Sequence, residues 1–274
     1  MEANVSENKM PDNGANGSSL SNKHQSMLSR FRAWRAQHRE NLKKNPVLEW
    51  TELIVSIIVI VFLIRLVVVE AFRIPTSSME DTLLVGDFLL VNKFVYGIRT
   101  PDWVGVPFTR AGFFIPFLRT PSFKEPEPGD IIVFRYPRDP NLAYIKRCIA
   151  VAGQTVEIRD KQVYIDGVKF VNPPHSKFTS RLTLPKNYVD GSIFPRDLEF
   201  RNRDNYGPVT VPEGNLFCMG DNRDNSADSR YWGFLPREKV IGQALLIYFS
   251  FNKKVPGLKL NKKIRWDRIG NLIR

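Results

Sequence analysis

Residues 53–72 are a nearly uninterrupted apolar run, and they restrict the fold of this chain more than any other feature. Seventeen of these twenty residues are apolar, the exceptions being Ser56, Arg65 and Glu70. A helix of about 20 residues crosses the hydrocarbon core of a bilayer, which is roughly 30 Å thick. A buried helix of a globular protein usually keeps a polar face, and residues 53–64 have none. The run therefore predicts a transmembrane helix over residues 51–72.

Basic residues are concentrated before this run. Residues 23–44 hold seven of them against a single acid, whereas few follow the run directly. The positive-inside rule then predicts a single-pass protein of the inner (cytoplasmic) membrane, with a cytoplasmic N-terminus and residues 73–274 on the outer side. We expect residues 1–50 to form a basic cytoplasmic tail. Its first 22 residues, rich in Asn, Ser and Gly, should be disordered, and residues 24–46 should be helical.

The 274 residues carry a formal net charge of +12, which raises the question of a nucleic-acid partner. Most of this charge lies in residues 73–274, on the far side of the membrane, and no nucleic-acid-binding motif accompanies it. We therefore expect no nucleic acid as a partner. Two cysteines, Cys148 and Cys218, are too few for a four-thiolate zinc site, and we expect no metal and no cofactor. We favour free, buried thiols over a disulfide, which the outer compartment would also permit.

After residue 72 the pattern changes to short β-branched runs separated by Pro and Gly. These runs predict strands at Phe88–Val95, Ile131–Tyr136, Tyr144–Val151, Thr155–Arg159, Asn215–Met219 and Val240–Phe251. Within Gln162–Val171, the pair Asp166–Gly167 separates two alternating runs and predicts a two-residue hairpin. We therefore expect a mainly β fold, with an antiparallel β-sheet domain over 73–171 and 209–274 and an irregular, Pro-rich insertion at 172–208.

For two further segments, contact with lipid is one of two interpretations. The aromatic-rich segment Trp103–Leu118 either packs on the core, which we favour, or rests in the bilayer interface. Residues Lys253–Arg274 hold eight basic residues and one acid. We favour a solvated tail there over a contact with anionic headgroups.

Three segments contain residues suited to chemistry: 74–79 directly after the expected span, 144–147 in a strand, and 219–233. The last of these does not fit a calcium-binding EF-hand loop. The sixth position of a loop that starts at Asp221 or Asp224 is not the glycine that such a loop requires.

A serine hydroxyl needs a base before it can act as a nucleophile, and histidine cannot readily supply one here. His24 and His38 precede the expected span, across the membrane from Ser78, and His175 lies in the insertion. A neutral lysine is the known alternative. Lys146 interrupts an otherwise apolar strand, where burial disfavours the ammonium form. Its neutral amine could therefore accept the proton of Ser78.

These segments also resemble a known family. The runs PTSSM, TLLVGDFLLVNKF, GDIIVF, YIKR and MGDNRDNSADSRYWGF are similar to the successive boxes of bacterial signal peptidase I (leader peptidase), a Ser/Lys-dyad membrane protease. The match runs from about Phe72 to Phe251, and Arg265–Ile273 resembles the family's terminus. The resemblance implies a membrane-anchored serine endopeptidase. It would cleave N-terminal signal peptides from exported preproteins after small residues, in an A-x-A pattern.

The resemblance further implies residue roles. Ser78 is expected to be the nucleophile and Lys146 the general base. The backbone N–H of Ser78 and the hydroxyl of Thr76, a position usually held by Ser in the family, are expected to form the oxyanion hole. Ser226 is expected to orient the lysine amine. The residues expected to support the site are Asp221, Asp228 and Arg230.

Substrate selection in the family implies two shallow apolar pockets, whose branched walls would admit Ala and exclude larger side chains. The residues expected at the wall nearest the cut are Ile74, Met79, Leu83 and Tyr144. Those expected at the other pocket are Phe72, Leu89, Val133 and Ile145.

The expected partners are signal-peptide-bearing preproteins and membrane lipid, close to the export channel. One departure from the family is Glu80–Asp81, where many members carry Pro. Two alternatives stay open: a narrower peptidase that matures a single secreted partner, and an inactive relative that binds signal sequences. The presence of Ser78, Lys146 and Ser226 counts against the second.

Overall fold

The structure is a computed structural model. It describes residues 29–30, 32–33, 46–97, 103–105, 112–114, 119–256 and 260–273. The chain divides into two compact units, Met1–Phe62 and Leu63–Arg274. The expected disorder of residues 1–22 lies outside the described residues, as does most of the expected helix at 24–46. The side chains of the segment Trp103–Leu118 also lie outside the described residues, so the contact of this segment with the core or with lipid stays a prediction.

Helix α1 comprises Pro46–Val67, and proline at the first position of a helix is favourable because its missing N–H would have no partner there. The helix ends earlier than the expected 51–72. Residues Val69–Arg73 form strand β1 instead, because this β-branched stretch pairs antiparallel with the next strand, Glu70 opposite Val91. Within the stretches that the structure describes, no helix is at once long enough and apolar enough to cross a membrane.

The remaining chain is mainly β, as expected. The strands are β1, then β2 Asp87–Asn92, β3 Trp103–Gly105, β4 Gly112–Phe114, β5 Ile131–Tyr136, β6 Asp139–Val151, β7 Thr155–Arg159, β8 Gln162–Ile165, β9 Val168–Lys169, β10 Phe200–Arg201, β11 Tyr206–Thr210, β12 Asn215–Met219, β13 Leu235–Pro236 and β14 Val240–Ser250. The short helices are α2 Ser229–Trp232 and α3 Leu260–Lys263, with 3₁₀ turns at Arg237–Lys239 and Trp266–Arg268.

All described strand pairs are antiparallel. A seven-stranded sheet has the order β1-β2-β14-β5-β6-β12-β13, a five-stranded sheet the order β10-β11-β7-β8-β9, and β3 pairs with β4. The expected hairpin is confirmed: Asp166 and Gly167 have φ values of 51° and 79°, the left-handed conformation that a tight two-residue turn requires at both positions. The hairpin joins β8 to β9.

The insertion at 172–208 is less irregular than expected. Its last residues form β10 and the start of β11, and Tyr206 pairs with Ile158 of β7. Proline has no backbone N–H to donate to a neighbouring strand. The sheet accommodates Pro208 because the pairing of β11 with β7 is irregular between Tyr206 and Val209. The insertion therefore ends inside the five-stranded sheet.

Residues of both sheets contribute to the hydrophobic core. Buried side chains of the five-stranded sheet, among them Val156 and Val163, form one cluster with Ile149 and Phe217 of the seven-stranded sheet. Cys148 and Cys218 face each other across β6 and β12 and belong to a second cluster. Both are free and buried, which confirms the expectation of unbridged thiols.

The expected solvated tail at Lys253–Arg274 is wrong for its last part. Asp87 is fully buried, and its carboxylate accepts hydrogen bonds from the Arg268 guanidinium at 2.7 Å and the Ser250 hydroxyl at 2.6 Å. Arg268 also donates to the carbonyl of Thr82 at 2.9 Å, and the N–H of Ile273 donates to Leu245 of β14. The excess of basic residues indicated solvent exposure, but two of them, Arg265 and Arg268, pair with the buried Asp87.

Candidate active site

Ser78 lies in a tight turn, 77–83, that follows β1. The N–H of Glu80 donates to the carbonyl of Ser77 at 3.0 Å, and that of Leu83 to Met79 at 2.7 Å. Met79 and Leu83 are fully buried, so their side chains fix the turn to the core. Ser78 is left half-buried at its start, with its hydroxyl available to a neighbour.

That neighbour is Lys146 on β6. Its Nζ lies 2.7 Å from the Oγ of Ser78 and 3.1 Å from the carbonyl of Ile145. Only 4% of Lys146 is exposed. Burial disfavours the ammonium form and lowers the pKa of Lys146 to about 8, although nearby acidic groups, Asp228 foremost, act in the opposite direction. The structure thus brings together the two predicted catalytic residues, and the lowered pKa gives a larger neutral fraction of the amine near neutral pH than a free lysine has.

Asp221 ties the loop 220–230 to both of these elements. Its carboxylate accepts two hydrogen bonds from the guanidinium of Arg147, at 2.8 and 2.7 Å, and one from the hydroxyl of Thr82 at 2.6 Å. Arg147 follows Lys146 on β6, and Thr82 lies in the 77–83 turn. A bidentate, buried pair of this kind is geometrically strict. Asp221 therefore fixes the turn relative to the strand.

Asp228 and Arg230 form a second buried pair in the same loop, with both nitrogen–oxygen distances at 2.8 Å. Burial alone would raise the pKa of Asp228, but the charge and hydrogen bonds of Arg230 outweigh it and the pKa is lowered. The Asp228 carboxylate also accepts from the N–H of Gly220 and caps α2. These contacts hold the two ends of the loop together.

Ser226 is buried, and its hydroxyl has no hydrogen-bond partner among the described residues. Among the described residues, its oxygen therefore makes no hydrogen bond with the Lys146 amine, and the orienting role stays a prediction. Ser226 instead packs against Gly220. A Cβ on Gly220 would collide with the Ser226 side chain and with the carbonyl of Ser78, so only glycine allows this close approach.

A cleft of about 240 Å³ opens over the two catalytic candidates. Its lining residues are Pro75, Thr76, Ser77, Ser78, Ala143, Tyr144, Ile145, Lys146, Asn225 and Ala227. Thr76 is exposed. Within the described part of the chain, neither its hydroxyl nor the N–H of Ser78 donates a hydrogen bond. Their expected role as the oxyanion hole stays a prediction.

Of the eight residues expected to line substrate pockets, Tyr144 and Ile145 reach this cleft. The others lie beneath or beside it. Ile74, Met79, Leu83 and Leu89 share one buried cluster, and Val133 belongs to an adjoining cluster with the half-buried Phe72. Ile145 packs against both clusters. Their role in substrate selection stays a prediction.

Sequence reasoning missed several residues of this site. The N–H of Asn222 donates to the carbonyl of Ser78 and its side-chain amide to that of Ser77, both at 3.1 Å. The Asn225 amide donates to the Ser77 hydroxyl at 3.2 Å. Arg147 was missed as well, although its place beside Lys146 in an apolar strand signalled a buried charge that needs an acid. Among the described residues, no group of three His, Cys, Asp or Glu side chains is placed to hold a metal ion.

Comparison of the chain with known proteins gives matches to signal peptidases. The family described as "Signal peptidase, peptidase S26" matches residues 47–249. A signal peptidase I of Pseudomonas fluorescens is 35% identical over 249 residues, covering 84% of this chain and 81% of the relative. One from Aquifex aeolicus is 36% identical, covering 74% and 83%. A solved signal peptidase I structure from Enterococcus faecalis is 34% identical, with a TM-score of 0.32, and covers 44% of this chain and 97% of that one.

Proposed function

The chain belongs to the signal peptidase I family of serine endopeptidases, and we propose that it removes N-terminal signal peptides from exported preproteins with a Ser78/Lys146 dyad. The observation that carries this proposal is the 2.7 Å distance between the Lys146 amine and the Ser78 hydroxyl, in a site where burial lowers the pKa of Lys146 to about 8. A general base works best when its pKa lies near the operating pH.

In the first step, the Ser78 Oγ attacks the carbonyl carbon of the scissile peptide while the neutral Lys146 amine takes the hydroxyl proton. The carbonyl oxygen becomes an oxyanion, which accepts hydrogen bonds from the Ser78 N–H and the Thr76 hydroxyl. Both donors line the cleft. Losing one donor of this kind typically slows catalysis about 10²–10³-fold.

In the second step, the Lys146 ammonium returns its proton to the leaving amine, and the peptide bond breaks. An ester of Ser78 with the signal peptide remains. Lys146, neutral again, then takes a proton from water, whose oxygen attacks the ester carbonyl. The Lys146 ammonium gives this proton to the departing Ser78 Oγ, which releases the signal peptide and restores the hydroxyl, so the same amine serves both halves of the reaction.

The substrate is expected to bind as an added strand. β12 pairs with β6 from Arg147 onward, whereas β5 pairs with the earlier part of β6, including Tyr144 and Ile145. The edge of β6 turned away from β5 thus faces the cleft at residues 143–146. An extended peptide laid between this edge and Pro75–Ser78 would place its carbonyl at Ser78. Branched side chains around it, Ile145 among them, favour small residues beside the cut.

Membrane anchoring forms a separate part of the proposal. The apolar run 53–72 supports a span that leaves the N-terminus in the cytoplasm and residues 73–274 outside. Because the chain from Val67 to Ser78 is short, the nucleophile would stay near the membrane surface. Preproteins emerging from the export channel present their cleavage sites there, while the signal sequence is still in lipid.

The test is cleavage of purified preproteins by the full chain in detergent. The wild type should release a fragment whose mass locates the cut after an A-x-A sequence, and Ser78→Ala and Lys146→Met should each abolish the product. Matched controls are Ser192→Ala and Lys169→Met, which change exposed residues and should retain full activity. Activity in either dyad variant would refute the mechanism. Cleavage of one preprotein out of several unrelated ones would favour a narrower peptidase.

A further inference from the structure

The ring of Tyr144 forms part of the cleft wall beside the reacting groups. Tyr144 lines the cleft together with Ser78 and Lys146, and the centroid of its ring lies 5.5 Å from the Lys146 Nζ. Ala227 of the loop 220–230 lines the same cleft. The positions of Tyr144 and Ala227 therefore limit the room that a substrate side chain has next to the Ser78 hydroxyl.

Two rings of β5 hold Tyr144 in place. Tyr136 stacks on it, with the ring centroids 4.5 Å apart and an angle of 14° between the ring planes. Phe134 lies opposite Tyr144 in the register of β5 and β6 and contacts its ring edge-on at 6.4 Å. Residues two positions apart in a strand share one face of the sheet, so both rings reach Tyr144 from the same side. Turning the Tyr144 side chain would break a favourable stacked contact.

Trp232, the last residue of α2, connects these rings with the loop 220–230. Only 6% of Trp232 is exposed. Its ring meets Tyr136 edge-on at 6.2 Å and lies 5.7 Å from the ring of Phe134. Its indole N–H donates to the carbonyl of Ala227 at 3.2 Å. One buried side chain thus contacts both the support of Tyr144 and the backbone of Ala227.

We infer that Tyr136 and Trp232 are positioning residues that set the size limit for the substrate residue next to the cut. Neither of them lines the cleft, so they act through Tyr144 and Ala227. Interiors are close-packed, and a smaller side chain at either position leaves space into which its neighbours can move. The cleft then admits side chains larger than Ala. This inference rests on the proposed peptidase function.

The test compares two preproteins that differ only in the residue before the cut, which is Ala in one and Val in the other. The full wild-type chain in detergent should cleave the Ala form with a kcat/KM at least about tenfold higher. Tyr136→Leu removes the stacked ring but keeps an apolar side chain, and it should reduce this ratio by about tenfold. Tyr136→Phe keeps the ring and should keep the ratio. A substitution that only destabilises the fold would lower both rates together and leave their ratio unchanged.

Trp232→Phe tests the other contact, because it keeps a ring but removes the indole N–H that holds Ala227. It should also reduce the ratio, and it is measured independently in case Tyr136→Leu fails to fold. An unchanged ratio in either folded variant would overturn the inference, as would an equal reduction in Tyr136→Phe. Failure of the proposed function would be seen differently: the wild type would not cleave the Ala form, or Ser78→Ala would cleave it as well.

Discussion

Replacing Lys146 with Met should stabilise the folded chain at neutral pH. Burial lowers the pKa of Lys146 from 10.5 to about 8, so the ammonium form is favoured in the unfolded chain. Folding at neutral pH must therefore bury an ammonium group or remove its proton, and both cost free energy. Linkage sets this cost at about 3 kcal/mol at pH 7 and about 2 kcal/mol at pH 9, and it falls below about 1 kcal/mol at pH 10.5.

The net effect is smaller because Lys146 also makes a hydrogen bond to Ser78. Losing it removes about 1 kcal/mol, while Met fills a similar apolar volume. The variant should therefore be more stable than the wild type by about 2 kcal/mol at pH 7, and the advantage should vanish near pH 10. The contributions of the other titrating groups cancel in the difference in stability, because both proteins contain the same groups.

The assay is denaturant unfolding of both proteins in detergent at pH 7, 9 and 10. Lys169→Met, a change at an exposed lysine, is the matched control. Its stability relative to the wild type should not change with pH in this way. A variant that is less stable than the wild type at pH 7 would refute the reasoning. A stability difference that does not change with pH would refute it equally, because it would mean that Lys146 keeps its proton on folding.

Three further outcomes are expected from the geometry of the site. Initial rates of preprotein cleavage should rise about tenfold between pH 7 and pH 9, as the neutral fraction of Lys146 grows through its pKa of about 8; a rate that is flat over this range would exclude Lys146 as the base. Thr76→Val should lower kcat by about 10²-fold or more while Thr76→Ser keeps most activity, and equal loss in both would mean that the hydroxyl is not the donor. Gly220→Ala should reduce cleavage severely, because its Cβ collides with Ser226 and the carbonyl of Ser78; wild-type kinetics in this variant would show that the contact is not needed.

Local sequence pattern was enough to predict much of the fold. The β-branched runs at Ile131–Tyr136, Thr155–Arg159 and Asn215–Met219 form strands with the expected bounds, because alternation and turn residues are properties of neighbouring positions. The pairing of Ser78 with Lys146 was predicted from chemistry and from the family resemblance. The positions of the histidines also counted against a histidine base, since His24 and His38 precede the expected span and His175 lies in the Pro-rich insertion.

Contacts between distant residues could not be predicted in this way. Nothing near Arg268 in sequence indicates that it neutralises the buried Asp87, so a basic segment was interpreted as solvated. Valine suits a helix in lipid as well as a strand, and only pairing with β2, where Val69 lies opposite Asn92, decides for the strand after the end of α1. The shape of the cleft could not be predicted either, because it depends on packing between distant residues. Met79 and Leu83 were expected to line a substrate pocket, but both are fully buried.

The contacts that hold the 77–83 turn also determine when during folding the protein becomes a protease. Ser78 meets Lys146 across 68 positions of sequence, Thr82 meets Asp221 across 139, and Thr82 meets Arg268 across 186. Closing such long loops is slow and comes late, since local hairpins form first. A partly folded chain therefore has its serine and its lysine apart and cannot hydrolyse its neighbours. We therefore expect proteolytic competence to arise late in folding.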